Sequence, residues 1–195
     1  PDQTDVNQSG TVNYTVTYAG HSAITLADTD VTLNQTGVTC TGKVVTNVDA
    51  NTYNVAVSTC SGDGTVGITV DAGTATDIAG NSAAASSASD TFNVDNTPPT
   101  ISISATPTAD PIKDGSSSSF TVTYAGHTTI TLADANVNLN TTGDATCGNK
   151  VVTGAGNTRT ITFSNCTGDG TVGFDLAAGT AADALGNQAL ASADS

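Results

Sequence analysis

The sequence predicts an all-β protein built as two tandem sandwiches, each closed by one disulfide, and three observations predict it. The first is a repeat. TVTYAGH at 15–21 returns at 121–127, ITLAD at 24–28 returns at 130–134, and GDGTVG at 62–67 returns at 168–173, all displaced by 106 residues. A unit of that length is about one small domain. The second is composition: all 18 acidic residues are Asp, there is no Met or Trp, and Thr, Val, Ser, Ala, Asn and Gly dominate. Thr and Val are stiff at χ1 and suit strands, whereas Asp, Asn and Gly suit turns. The third is the cysteines, which fall two per repeat, Cys40 with Cys60 and Cys147 with Cys166, at nearly equal spacing. With no C-x-x-C pair or partnering histidines, that pattern reads as two intradomain disulfides rather than a metal site.

Two units of 106 residues would need 212, whereas the chain has 195, so 17 residues occur once. They are Asp90–Thr106, DTFNVDNTPPTISISAT. The repeats are therefore read as 1–96, lacking its first strand, and 97–195, lacking its last. Either the sequence is an excerpt from a longer array, or the open places are filled by strands from neighbours.

In the first unit the apolar runs VNYTVTY, SAITL, VTL, KVVT, TYNVAVS, TVGITV and TFNV alternate with turn clusters, at the spacing of a two-sheet sandwich. Alternation in the first run puts Val12, Tyr14, Val16 and Tyr18 on one face, where each tyrosine hydroxyl needs a partner. KVVT and TYNVAVS, joined by NVDAN, read as a hairpin, as do KVVT and TRTITFS joined by GAGN. A simple register leaves each cysteine pair two residues out of line, so a bulge or diagonal crossing is expected. Pro98 and Pro99 cannot donate to a ladder and mark a short, stiff linker.

Hydrophobic residues make up 37% and aromatics only 4%, so each unit has a thin core to which a crosslink matters. The net charge of −14, with four cationic residues, disfavours nucleic acid and anionic membranes as partners, since both need Lys and Arg. No membrane-length apolar run is present. Paired cysteines point outside the reducing cytoplasm.

The pattern TVTYAG…ITL…GDGT.G…AGTA.D.AGN…F.VDNTPPT resembles the immunoglobulin-like repeats of large bacterial surface and adhesin proteins, over nearly all of both units. Its most specific parts are AGTATDIAGN and VDNTPPT. The resemblance implies immunoglobulin-like sandwiches used as a spacer in a secreted or cell-surface array, often with calcium stiffening the loops. The cysteine pairs depart from many such repeats. In that family a terminal module usually carries the individual function, and none lies within these residues.

Calcium is the one ion the residues suggest. Asp77 and Asn81, repeated as Asp183 and Asn187, bring a carboxylate and an amide into one turn that Asp71 and Asp95 could approach. The competing reading is a purely structural turn, with Asp capping it. Asp28 and Asp30 form a weaker candidate, because Asn136 replaces Asp30 in the second unit beside Asp134; Asp63 and Asp169 sit in D-G turns. No catalytic residue is assigned: His21 and His127 lack a nucleophile and an orienting group, and no hydrolase motif is present. The equivalent lysines Lys43 and Lys150 raise a Lys–Asn crosslink, a role the disulfides already fill. N-x-S/T matches at Asn7, Asn13, Asn34, Asn140 and Asn165 are expected by chance in so Thr-rich a chain.

The expected function is a non-enzymatic structural or spacer segment of an extracellular bacterial surface protein, adhesin stalk or fibre, with neighbouring repeats or subunits as partners. Two alternatives stay open: a filament subunit assembled by strand donation, and a calcium-dependent ligand or glycan binder.

Overall fold

A computed structural model describes residues 1–104 and 106–195. The protein is all-β and divides into two compact units, Pro1–Thr97 and Pro98–Ser195. Unit 1 contains β1 (Asp5–Val6), β2 (Val12–Thr17), β3 (Ala23–Ile24), β4 (Val31–Asn47), β5 (Thr52–Val70), β6 (Ala75–Thr76) and β7 (Phe92–Val94). Unit 2 contains β8 (Thr100–Ile103), β9 (Ser116–Ala125), β10 (Thr129–Ile130), β11 (Val137–Thr141), β12 (Thr146–Thr153), β13 (Thr158–Thr167), β14 (Val172–Leu176) and β15 (Ala181–Ala182).

In unit 1 the strands run β1-β7-β5-β2, with β4 also on β5. The runs VTL and KVVT, expected as separate strands, are one strand, β4, and TYNVAVS and TVGITV are likewise one, β5. Turn residues lie inside this long hairpin because it bends there while keeping most of its ladder, with a register shift between Thr36 and Val38. Glycine is required at the bend: a Cβ on Gly64 would lie 1.9 Å from the Thr36 carbonyl oxygen, and one on Gly170 would lie 1.9 Å from that of Thr142. One half of β5 then pairs with β2 (Val12↔Val57 to Thr17↔Thr52) and the other with β7 (Gly64↔Val94 to Val66↔Phe92). In unit 2 the same path is broken into β11, β12, β13 and β14: β12 and β13 join β9 and β8 in a sheet of order β12-β13-β9-β8, and β11 and β14 form a separate pair.

The cores follow the period-2 pattern. Val12, Tyr14, Val55, Val57, Val66, Phe92 and Val94 are buried in unit 1, and Val122, Tyr124, Ile161, Phe163, Phe174 and Leu176 in unit 2. Tyr14 and Tyr18 of the first run find partners as their chemistry demands, and so does Tyr124. Tyr14 donates to the Val66 and Asp90 carbonyls (3.0 and 3.1 Å), while Tyr18 and Tyr124 donate to the hydroxyls of Thr74 and Thr180 (2.8 and 2.9 Å).

The disulfides Cys40–Cys60 and Cys147–Cys166 join directly opposed residues of neighbouring strands, with Cα atoms 3.9 Å apart in each. No diagonal crossing is needed. The expected two-residue offset came from centring each turn one residue too early. Val48 and Asp49 both donate to the Thr52 carbonyl, so the first turn lies about Ala50, and Asn47 pairs with Tyr53. In the second hairpin Gly154 and Gly156 take positive φ, and Thr153 pairs with Thr160. Just before the second cysteine of each unit, Thr59 and Asn165 also take positive φ, at 56° and 53°.

Candidate functional site

The loop repeated at 77–81 and 183–187 was the leading candidate for ion binding, and its geometry is set by its own donors. Asp77 Oδ1 accepts from the backbone N–H of Ala79 (2.8 Å) and of Asn81 (2.9 Å), and Oδ2 accepts from the Asn81 amide (2.8 Å). The second copy repeats this: Asp183 Oδ1 accepts from Leu185 and Asn187 N–H (2.8 and 2.9 Å), and Oδ2 from the Asn187 amide (2.8 Å). Gly80 and Gly186 take φ of 88° and 86°, which closes the turn. The Asn81 and Asn187 amides thus point N–H, not oxygen, at the carboxylate.

These bonds favour the ionised form of each acid. Hydrogen bonds from Asn81 hold the Asp77 carboxyl below its ordinary 3.8. At Asp183 slight burial pushes the carboxyl up, but the bonds from Asn187 and Leu185 outweigh it and the net shift is down. A depressed folded value means that this stabilisation is complete above the ordinary carboxylate value and is lost as pH falls through the folded one. The thermal midpoint of the chain is therefore expected to drop below about pH 4. A D77N/D183N double variant should drop less over that window than the parent, and equal slopes in acid thermal melts would contradict the assignment.

Asp71 and Asp95 do not complete a cation site with this loop. Asp71 is exposed and its backbone N–H bonds the Asp30 carbonyl, whereas Asp95 accepts the Thr97 N–H at 2.9 Å. Among the described residues no three side chains of His, Cys, Asp or Glu converge as metal ligands. Calcium requires six or more oxygens at about 2.3–2.6 Å, and this donor set, its carboxylates already bonded to N–H groups, does not fit it.

Several other acids serve the fold in the same way. Asp28 and Asp134 accept the N–H of Val45 and Val152, at 2.6 Å each. Asp30 and Asn136 accept the N–H of Ala27 and Ala133, at 2.9 Å each. The Asp-to-Asn difference between repeats is thereby explained, since the position uses a side-chain oxygen and not a charge. Asp63 does more than form its turn: Oδ1 accepts the Asn96 N–H at 2.5 Å and Oδ2 accepts the Thr97 hydroxyl at 2.6 Å, fastening the end of unit 1 and lowering its carboxyl value.

His21 and His127 stack edge-on against Tyr18 and Tyr124, and the Nδ1 of each is buried without a hydrogen-bond partner. Each is a loop residue packed on a ring. Lys43 and Lys150 donate to the main-chain carbonyls of Val31 and Val137, not to an asparagine side chain. Pro98 and Pro99 open unit 2, just before β8.

One feature escaped the sequence reading. Unit 2 carries a groove of about 320 Å³ lined by Phe120, Phe163, Cys166, Ile112, Val172 and Lys113, among others. Tyr14, which meets Phe92 in unit 1, has Phe120 as its counterpart there. No family model matches this chain and no curated protein is found to be related to it. Two disulfides persist in oxidising compartments, which places the folded chain outside the reducing cytosol. Among the described residues no helix is long and apolar enough to cross a membrane.

Proposed function

We propose that this chain is a structural, non-catalytic segment of an extracellular bacterial surface protein: two immunoglobulin-like sandwiches serving as a spacer in an adhesin stalk or fibre. The observation that supports this reading best is the use of the repeated polar residues. Asp28, Asp77, Asp134, Asp183, Lys43 and Lys150 all spend their hydrogen bonds on backbone or loop groups of their own unit. Side chains committed in that way hold a fold rather than a substrate. The disulfides act in the same sense, limiting how far each unit extends when pulled.

Neighbouring repeats are the partners this reading names, and the distal adhesion target belongs to another module. Antibody raised against the chain should label intact, unpermeabilised cells of the producing organism along surface appendages or the cell envelope. Label confined to permeabilised cells would overturn the proposal.

Assembly by strand donation between neighbours is a second reading. Calcium-dependent glycan binding draws no support from loops whose carboxylates are already bonded, or from aromatics that are mostly core.

A further inference from the structure

A strand at the margin of a sheet turns every second N–H and C=O outward, and so offers a template to any other strand. Both units have such a margin along the first arm of the long hairpin. Among the described residues β4 pairs only with β5, and β11 and β12 pair only with β14 and β13. The strands that the repeats do not share lie elsewhere: β7 pairs with β5 and β1, and β8 with β9. The arm's sequence suits pairing with its like. Lys-Val-Val-Thr stands at 43–46 and again at 150–153, with Val44 and Val151 54% and 46% exposed.

The groups that would receive a strand are taken by side chains, in the same way in both repeats. The Asp30 carbonyl accepts the Asp71 N–H, so Val31, the next residue, turns its carbonyl away from β5; Asn136, Ala177 and Val137 repeat this in unit 2. Lys43 Nζ donates to the Val31 carbonyl and Lys150 Nζ to the Val137 carbonyl. Two of the chain's four cationic residues are thus spent on main-chain oxygens, in a chain with 18 acids. Further along the arm, the Val45 and Val152 N–H groups donate to Asp28 and Asp134 Oδ1, at 2.6 Å each. The ties cross the bend in opposite directions. Asp28 reaches 17 residues forward to the second half of the arm, and Lys43 reaches 12 residues back to the first. A strand approaching either half meets a main-chain group already bonded and a charged side chain lying over it.

We propose that Asp28 with Lys43, and Asp134 with Lys150, are edge guards that keep a second copy of this chain from adding its own Lys-Val-Val-Thr strand to this margin. That role goes beyond holding the fold of a spacer, because it decides whether like repeats at close quarters stay separate.

The test compares D28A/D134A with D28N/D134N in the full chain. Both remove two negative charges, so self-repulsion falls equally, but asparagine keeps an oxygen for Val45 and Val152 and alanine does not. At roughly 0.1 mM, within the range where open strand edges associate, the alanine variant should sediment as larger species than the parent, with its far-UV spectrum kept. The asparagine variant should match the parent. Hydrogen exchange locates the contact: the Val45 and Val152 amides should exchange roughly 10-fold faster than in the parent when the alanine variant is dilute, and regain protection as it is concentrated. Adding V45P and V152P, which removes those N–H groups, should reverse the association. K43M/K150M, which opens the other half of the arm and should associate likewise, keeps the test decisive if the alanine variant fails to fold. A folded alanine or methionine variant no larger than the parent, an asparagine variant that associates as strongly as the alanine one, or association that leaves the Val45 and Val152 amides unprotected would each overturn the proposal.

Discussion

Replacing Phe92 with alanine is expected to destabilise unit 1 by about 3–5 kcal/mol. The ring is fully buried against Tyr14 in a core that is otherwise mostly valine, so little can collapse into the space it leaves. The strand that carries it has three residues and holds β1 to β5. Small domains have about 5–15 kcal/mol to lose, so this one side chain accounts for a large part of the total. Urea unfolding of the full chain, read from unit 1 amide resonances, measures the effect. Phe92→Leu, which keeps most of the volume, should cost roughly 1 kcal/mol, and equal effects of the two substitutions would contradict the packing argument.

Removing the first disulfide as the double variant C40A/C60A is expected to cost about 3 kcal/mol, from the entropy regained by a loop of 20 residues in the unfolded chain. C147A/C166A should cost nearly the same, because its separation is 19. The native pairing that surrounds each bridge is extensive: β4 and β5 remain in register on both sides of Cys40–Cys60. The folded hairpin should therefore survive, and the change should appear as a shifted urea midpoint with the far-UV spectrum kept. A loss under 1 kcal/mol would mean that the unfolded state is already restrained in that region.

The strand composition, the repeat and the cysteine pairing were legible because each rests on local chemistry: β-branched alternation, identical words at one spacing, and two cysteines per unit. The Tyr14 hydroxyl was known to need a partner, but its acceptors, the Val66 and Asp90 carbonyls, lie 52 and 76 residues away and no local rule names them. Turn centres were misjudged by one residue, since the backbone of Val48–Thr52, not residue type alone, fixes them. The merging of VTL with KVVT in β4 was hidden by the NQTG cluster at 34–37, which read as a turn but lies in a bent ladder. At the candidate site the Asp77 and Asn81 pair was found. What the sequence left open was whether the amide turns its oxygen or its nitrogen toward the carboxylate, and that choice separates a cation ligand set from a closed turn.

Single-molecule extension of the oxidised and then the reduced chain tests most directly whether these units are disulfide-limited spacers. With the bridges intact the chain should unfold in two events. Reduction should lengthen each by roughly 65–70 Å, the reach of the 20 and 19 residues that the bridges enclose. A single event, or extensions unchanged by reduction, would contradict the account.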